Sequence, residues 1–317
     1  MSSAGRAGAG HDLVASIGNT PMVELRHLAP PGVRLFAKLE GANPSGSLKD
    51  RIGRTMLDEA LASGALLPGQ TILEPSSGNT GISLAMIGGL RGHPVRIVMP
   101  DNTTRERLEL LHLFGAEVIG SPGSEGSNGA IRLAQELSLG DPSLFMPFQY
   151  ANEANPLAHQ QTTGPEILAA VPDLDLFVAG LGTGGTLTGV GRFLRTARPG
   201  ARLVAAEPLP GELVQGLRSL QEGFVPPVLD ASLLTDRYLV SNRDALTAMR
   251  RLLSVEGIFA GPSSGAVLHV ALRAAADLEA KTVVMLLADG GWKYLSLDLW
   301  SRRIELLSDE LEGTVLW

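Results

Sequence analysis

The chain has 317 residues, and its 26 lysine and arginine residues against 33 aspartate and glutamate residues give a formal net charge of −7; this length predicts roughly two domains. No cysteine is present, which excludes disulfide bonds, thiolate metal ligands and a thiol nucleophile. The acidic balance argues against a nucleic-acid partner, because such a partner requires clustered positive charge.

Targeting and membrane segments have recognisable patterns, and we expect neither here. The first ten residues are small and polar with one arginine, which is not the pattern of a signal peptide. The longest apolar runs have the length of a strand, far below the roughly 20 residues that span a bilayer. We therefore expect a cytoplasmic protein that does not bind membranes.

Short apolar runs alternate along the chain with segments of helical periodicity. The runs are continuous, as in parallel strands that are covered on both faces. The predicted strands are 33–39, 71–73, 95–99, 117–119, 176–179, 203–206 and 282–287. The predicted helices are 50–63, 80–90, 105–114, 128–137, 186–196, 243–255 and 265–278. This order predicts an α/β fold of right-handed βαβ units with parallel sheets.

Two stretches interrupt the alternation. Residues 152–172 contain Pro156 and the pair Gly164-Pro165, and we predict that the chain crosses between domains near residue 150. Residues 208–236 are rich in proline and glycine and lack periodicity. A loop of this length inside a compact domain is usually functional or mobile.

Lysine occurs at only four positions, which are 38, 49, 281 and 293. Lys49 ends a turn-rich run at the point where a helix begins, with Ser47 as the predicted cap. The helix dipole places positive potential there, which should lower the pKa of an amine and suit it to act as a nucleophile or base. The alternative is a solvated lysine paired with Asp50 or Glu40.

Two further loops join a strand to a helix and could bind anions. Residues 74–81 read Glu-Pro-Ser-Ser-Gly-Asn-Thr-Gly, and residues 180–186 read Gly-Leu-Gly-Thr-Gly-Gly-Thr. Backbone N–H groups at the start of a helix form such sites. The second loop also fits a dinucleotide pattern, with Glu207 at about the spacing of a ribose ligand, so a nucleotide-binding dehydrogenase stays open. Plain capping loops are the alternative for both.

A fourth loop, Gly261-Pro262-Ser263-Ser264-Gly265, matches a nucleophile elbow. The only later histidine is His269, on the same predicted helix, and no carboxylate lies between it and Ser263. We therefore reject a hydrolase and expect Ser263 to act as a hydrogen-bond donor. The histidines show no metal spacing, so we expect no metal site.

In this order, the four loops resemble the cysteine synthase group of fold-type-II pyridoxal-phosphate enzymes, relatives of the tryptophan synthase β subunit. The resemblance runs from Ile17-Gly18-Asn19-Thr20-Pro21 to Asp289-Gly290-Gly291. It implies two domains, each a mostly parallel twisted sheet flanked by helices, with the active site in the cleft. The smaller, mobile domain would be 37–149 with 1–12, and the larger 150–317 with 13–36. A homodimer is also implied.

The resemblance also implies a role for each motif residue. Lys49 would hold the cofactor pyridoxal 5′-phosphate as a Schiff base, Asn79 would bind its phenolic oxygen, and Ser263 would face its pyridine nitrogen. The cofactor phosphate would lie against Gly182, Thr183, Gly184, Gly185 and Thr186. The substrate carboxylate would be held by Ser76, Ser77, Thr80 and Gln149.

The reaction implied is a β-replacement. Lys49, displaced by the amino acid, would remove the α-proton as a general base. The β-substituent would leave to give an aminoacrylate, and a sulfur nucleophile would add to it to release L-cysteine. A serine at the pyridine nitrogen makes the ring a weaker electron sink than an aspartate would, which favours elimination.

One loop departs from the common acetylserine pattern. Residues 215–224 are longer than the usual Gln-Gly-Ile-Gly-Ala-Gly-Phe run and contain Arg218, suited to bidentate phosphate binding. With residues 288–296 and the tail 311–317, this resembles the actinobacterial cysteine synthase B type. That type uses O-phospho-L-serine, takes sulfur from the thiocarboxylate of a small carrier protein, and folds its tail over the site.

Several alternatives stay open. Arg218 could be a solvated loop residue, and the tail a packed or disordered terminus. The enzyme could be an O-acetylserine sulfhydrylase that uses free sulfide or, more distantly, a cystathionine β-synthase. A non-catalytic regulatory relative would be expected to lose Lys49.

Overall fold

The protein folds into two mostly parallel sheets flanked by helices. A computed structural model describes residues 12–76, 78–221 and 223–311. Strands are numbered β1–β10 and helices α1–α10 in chain order.

The larger sheet has six strands in the order β1-β2-β10-β7-β8-β9. Their bounds are β1 Met22–Glu24, β2 Arg34–Leu39, β7 Leu176–Gly180, β8 Arg202–Pro208, β9 Asp236–Val240 and β10 Thr282–Leu287. Only β1 is antiparallel to its neighbour. Every residue of β10 is buried, since this strand lies between β2 and β7 and is covered on both faces.

The smaller sheet has four parallel strands in the order β5-β4-β3-β6. Their bounds are β3 Thr71–Pro75, β4 Val95–Pro100, β5 Glu117–Ser121 and β6 Leu144–Phe145. Buried aliphatic residues of α1, α2, β3 and β4 form the main core of this part, including Ile52, Ile72, Ile82 and Ile97.

In the described part of the chain, ten α-helices connect and cover the strands. They are α1 Lys49–Ser63, α2 Asn79–Leu90, α3 Arg105–Leu113, α4 Gly126–Gly140, α5 Ala154–Ala158, α6 Gly164–Ala170, α7 Gly185–Ala197, α8 Asn242–Glu256, α9 Pro262–Asp277 and α10 Ile304–Leu311. A π-helical turn, His159–Thr163, joins α5 to α6. The described part of the chain contains no helix that is long and apolar enough to cross a membrane.

The predicted fold class is confirmed, and all seven predicted strands and all seven predicted helices are present. Residues 154–170, predicted as an interruption, are almost continuously helical. Pro156 and Pro165 lie near the starts of α5 and α6, where a missing N–H costs little, so they do not break the helices. The sequence analysis also missed β1, β6 and β9, which are short or lie at sheet edges, and the terminal helix α10.

The division into domains stays a prediction. The first predicted domain boundary, at residue 37, falls inside strand β2, which lies wholly in the larger sheet. The second boundary, near residue 150, falls between β6 of the smaller sheet and α5.

Candidate active site

Loops at the carboxyl ends of strands from both sheets surround one cavity. In open parallel sheets, ligands bind at this edge. The cavity is lined by Leu48, Lys49, Ser76, Gly78, Asn79, Thr80, Arg107, Ser127, Gln149, Tyr150, Ala179, Gly180, Gly182, Thr183, Gly184, Thr186, Gly216, Leu217, Arg218, Ser263, Val267, Leu286, Ala288, Asp289 and Tyr294. The structure therefore brings together the four motif loops that are separated along the chain.

Lys49 is the first residue of α1 and lies beside the end of β10, because Leu48 N donates to the carbonyl of Ala288 at 2.9 Å. Burial lowers the pKa of Lys49 to about 8, against an opposing effect of Asp289. The sequence analysis expected a lowered pKa from the helix dipole, whereas the larger cause is loss of solvent. It also placed the cap at Ser47, but the N-cap is Leu48, and Ser47 Oγ accepts from Lys49 N at 3.2 Å.

The two carboxylates proposed as salt-bridge partners for Lys49 are occupied elsewhere. Asp50 accepts hydrogen bonds from the backbone N–H and the hydroxyl of Ser45. Glu40 accepts two from Arg51, at 2.7 and 2.9 Å. The alternative of a solvated, paired lysine is therefore not supported by this geometry.

Asn79 begins α2 and is held on both sides of its amide. Its Nδ2 donates to Oδ2 of Asp289 at 2.7 Å, and its Oδ1 accepts from Nζ of Lys293 at 2.7 Å. Tyr294 also donates its hydroxyl to Asp289 Oδ2 at 2.7 Å. Lys293 is fully buried, which lowers its pKa to about 8 against the raising effect of Asp289.

Asp289, Lys293 and Tyr294 lie in the run 288–296, but no sequence motif predicted a separate role for them. The one available signal was the rarity of lysine, which left Lys293 among four candidates.

Thr80 and Gln149 meet although they are 69 residues apart. Thr80 donates its hydroxyl to Gln149 Oε1 at 2.7 Å. Glu74 holds the Gln149 segment in place, because its carboxylate accepts hydrogen bonds from the backbone N–H groups of Phe148 and Gln149, at 2.7 and 2.9 Å. Burial raises the pKa of Glu74 to about 8, and the two hydrogen bonds oppose the shift.

Ser76 also belongs to this cluster, since its Oγ accepts from Gly81 N at 3.0 Å. Ser77, the fourth residue predicted to bind the substrate carboxylate, lies outside the described residues.

The loop Gly182–Thr186 enters α7 through a left-handed residue, Gly184, at φ +84°, which favours glycine. Thr183 Oγ1 accepts from Asn155 Nδ2 at 3.1 Å. Thr186 Oγ1 lies 3.2 Å from Nε2 of His159, whose pKa burial lowers, so this imidazole is neutral. The start of α7 and these polar side chains therefore form a lining that suits a phosphate.

Ser263 lies in the first turn of α9 and lines the same cavity. His269, its only candidate base, lies further along α9 and faces a different surface pocket, with Asp236 and Arg273. The geometry agrees with rejecting a hydrolase.

Arg218 is buried and not a solvated loop residue. Its guanidinium carbon lies 5.8 Å from the ring centre of Tyr150 and 5.2 Å from that of Phe224, and Nη1 donates to Asn128 Oδ1 at 3.1 Å. The loop 208–236, predicted to be functional or mobile, therefore places a positively charged side chain in the cavity lining.

Glu207 has no free carboxylate for a ribose. It is completely buried, and it accepts hydrogen bonds from Leu220 N at 2.8 Å and from Arg237 Nη1 at 2.8 Å. A dinucleotide site in the glycine loop thus lacks the acidic residue that it required. No cluster of potential metal ligands occurs among the described residues.

Comparison with known proteins gives a consistent family match. Residues 13–289 match the family described as "Pyridoxal-phosphate dependent enzyme". The chain is 44% identical over 298 residues to the "Probable cysteine synthase" of Bacillus subtilis (strain 168), a match covering 90% of this chain and 96% of that protein. It is 42% identical over 296 residues to the "Cysteine synthase" of Staphylococcus aureus (strain Mu50 / ATCC 700699), covering 90% and 95%.

Solved structures agree in fold. A crystal structure of O-ureido-L-serine synthase superposes with a TM-score of 0.87 at 40% identity, covering 92% of this chain and 96% of that one. The O-acetyl serine sulfhydrylase isoform 3 of Entamoeba histolytica gives a TM-score of 0.86 at 33% identity, with 98% of each chain covered.

Proposed function

The chain belongs to the family of pyridoxal-phosphate-dependent enzymes, and on that premise we propose that it makes L-cysteine from O-phospho-L-serine. Relatives at 44% and 42% identity are named cysteine synthases, so the chain is an enzyme of cysteine synthase type. The choice of the phosphate ester is supported by the buried guanidinium of Arg218 in the cavity that also contains Lys49.

The cavity residues fit the cofactor. Lys49 offers a buried amine, and the Gly182–Thr186 loop offers a cradle at the start of α7. A β-carbon on Gly185 would lie 1.9 Å from Oδ1 of buried Asn155, so there is no room for a side chain. Asn79 would hold the phenolic oxygen, and Ser263 would face the ring nitrogen. When bound, pyridoxal phosphate withdraws electrons from the α-carbon of an attached amino acid and makes its proton easier to remove.

Lys49 is proposed as the general base for that proton. An amine with a pKa of about 8 is neutral in roughly a tenth of molecules at pH 7, whereas an ordinary lysine is almost wholly protonated. Ser263 offers a hydroxyl and no negative charge, which favours substrates whose β-substituent leaves with its electrons.

The substrate is proposed to lie between two groups of polar residues. Ser76, Ser77, Thr80 and Gln149 would bind the α-carboxylate. Arg218 would bind the ester phosphate, which suits a guanidinium, and its contacts with the rings of Tyr150 and Phe224 and its hydrogen bond to Asn128 hold its side chain in place.

The sulfur must come from outside, since the chain has no cysteine. A small carrier protein with a C-terminal thiocarboxylate, or free sulfide, is the proposed donor. The tail predicted to cover the site is residues 311–317. Leu311 ends α10, and residues 312–317 lie outside the described residues. We also propose a homodimer and a smaller domain that moves to close the cleft.

O-Acetyl-L-serine with free sulfide is a second candidate, and it is at least as well supported by the comparisons. The Entamoeba histolytica structure, which covers 98% of this chain, is named an O-acetyl serine sulfhydrylase. The acetyl ester would use every proposed residue except Arg218.

A direct comparison of the two esters tests the proposal. We expect the cofactor-loaded enzyme to turn over O-phosphoserine with the higher kcat/KM. We expect Arg218→Ala to lower kcat/KM for that ester by about 10- to 100-fold, since a charge-assisted hydrogen bond is lost, and to affect O-acetylserine much less. Arg132→Ala, which removes an exposed arginine on α4, is the control.

Equal losses for both esters would remove the phosphate role of Arg218. Borohydride reduction followed by peptide mapping should attach the cofactor to Lys49. Attachment to any other lysine would contradict the assignment of the base.

A further inference from the structure

Arg107, in the first turn of α3, lines the same cavity, although no sequence motif predicted a role for it. Its side chain is 3% exposed, and its guanidinium carbon lies 4.7 Å from the ring centre of Tyr294. It packs against Gly78, where an added β-carbon would lie 3.0 Å from Nε and 3.1 Å from Cδ of Arg107. The glycine at position 78 therefore leaves space for this arginine.

Arg107 forms no ion pair among the described residues, and its side chain hydrogen-bonds with that of Tyr294. In the described ranges no carboxylate oxygen lies within 4.0 Å of its nitrogens, and its buried Nε has no hydrogen-bond partner. Arg51, equally buried, donates to two carboxylates, those of Glu40 and Glu166. A buried charge is costly unless it is paired, so the difference indicates that Arg107 meets an anion that is not part of this chain.

The proposed function places three anions in the cavity, which are the cofactor phosphate, the ester phosphate and the substrate α-carboxylate. The position of Arg107 indicates which of them it binds. The loop proposed for the cofactor phosphate follows β7 of the larger sheet. Arg218 follows β8 and lies beside the rings of Tyr150 and Phe224. Arg107 instead lies over Gly78, the N-cap of α2, next to Asn79 and Thr80. The helix dipole of the twelve-residue α2 adds positive potential there.

We infer that Arg107 binds the α-carboxylate of the amino-acid substrate at the start of α2. The inference rests on the proposed function, because it assumes an amino-acid substrate. It divides the two anionic ends of O-phosphoserine between two arginines, with the carboxylate at Arg107 and the phosphate at Arg218. Any amino-acid substrate of this site requires Arg107, whereas only a phosphate ester requires Arg218.

The test compares Arg107→Gln with Arg105→Gln, which removes an exposed arginine two residues earlier on the same helix. The first readout is binding, followed by calorimetry on the cofactor-loaded enzyme with L-alanine and L-alaninamide. These probes have no β-leaving group and differ only in the carboxylate. We expect Arg107→Gln to weaken L-alanine by about 10- to 100-fold and to leave L-alaninamide unchanged.

The second readout is steady-state kinetics with both serine esters. We expect Arg107→Gln to raise KM by a similar factor for each ester, with a smaller change in kcat, and Arg105→Gln to match the wild type. Arg107→Lys keeps a positive charge and should recover part of the affinity for L-alanine. If Arg107→Gln does not fold, the binding of L-alanine and L-alaninamide is compared in Arg107→Lys instead.

Three results would overturn the inference. These are equal weakening of L-alanine and L-alaninamide, an effect confined to O-phosphoserine, and unchanged binding. Failure of the proposed function looks different, because the wild-type enzyme would then favour O-acetylserine or turn over neither ester. The comparison of L-alanine with L-alaninamide would still test Arg107 in either case.

Discussion

Lys293 Nζ donates a hydrogen bond to Oδ1 of Asn79 at 2.7 Å, which joins residues 214 positions apart. An asparagine amide has one acceptor oxygen and two N–H donors. Lys293 occupies the oxygen, and Asp289 accepts one N–H at 2.7 Å. The second N–H is left for another partner. Lys293 and Asp289 together therefore fix the orientation of the Asn79 amide at the cavity. Lys293 is thus placed to position Asn79.

Replacing Lys293 with methionine should release this constraint. If Asn79 binds the phenolic oxygen of the cofactor, we expect the absorbance maximum of the bound cofactor, and its dependence on pH, to shift in Lys293→Met. Lys293→Arg keeps a donor and should restore the wild-type spectrum in part. Lys281→Met removes an exposed lysine and serves as the control. A Lys293→Met spectrum that matches the wild type at every pH would exclude the positioning role.

Attachment of the cofactor should depend on pH in a way that an exposed lysine would not show. Only the neutral amine is nucleophilic, and burial lowers the pKa of Lys49 to about 8. In cofactor-free enzyme, the rate of pyridoxal-phosphate attachment should rise as pH increases through about 8 and then level off. Absorbance-monitored mixing at a series of pH values measures this rate.

Lys293 also has a pKa lowered to about 8, so it must be separated from Lys49 in that experiment. The rise near pH 8 should persist in Lys293→Met, since this variant keeps the attacking amine. A rate that continues to climb toward the ordinary lysine value of about 10.5 would show that Lys49 is not desolvated as described.

The elements and loops of this site could be predicted from sequence because their signals are local. Buried parallel strands such as β10 are continuous apolar runs, and the Gly182–Thr186 loop carries its glycines in sequence. Lys49 could be predicted only in part. Its loop is recognisable from local sequence, but the lowered pKa of its amine results from burial by distant parts of the chain.

The residues that the sequence analysis missed depend on tertiary neighbours. Arg107 lies in the polar run Arg-Glu-Arg-Leu-Glu, which resembles an exposed helix face, and its packing against Gly78 and Tyr294 helps to bury it. Glu74 is recognisable as a support only once Gln149, 75 residues away, is beside it. Spacing along the chain cannot reveal such pairs.

A buried ion cluster connects α1 to α6 two residues after Lys49. Arg51 donates to Glu166 through Nη1 and Nη2, both at 2.7 Å, and Nζ of Lys38 lies 2.7 Å from the same carboxylate. Burial alone would raise the pKa of Glu166. The hydrogen bonds and charge of Arg51, with the hydrogen bond from Lys38, overcome this effect and lower the pKa to about 2.

The lowered pKa of Glu166 predicts a stability that depends on pH. The unfolded carboxyl has a pKa near 4.5, so the ionised form stabilises the folded state above that pH. This contribution should be lost progressively as pH falls from about 4.5 toward 2. We expect Glu166→Gln to have a lower Tm than the wild type at pH 6, with the difference narrowing as the pH is lowered to 4 and below.

Thermal unfolding followed by circular dichroism measures this difference, with Glu153→Gln as the control because its pair with Arg192 is largely exposed. A Tm difference between Glu166→Gln and the wild type that stays constant from pH 6 to pH 3.5 would contradict the linkage. It would mean that Glu166 stabilises the fold by packing alone. A narrowing difference would show that charge pairing with Arg51 helps to hold the helix that carries Lys49.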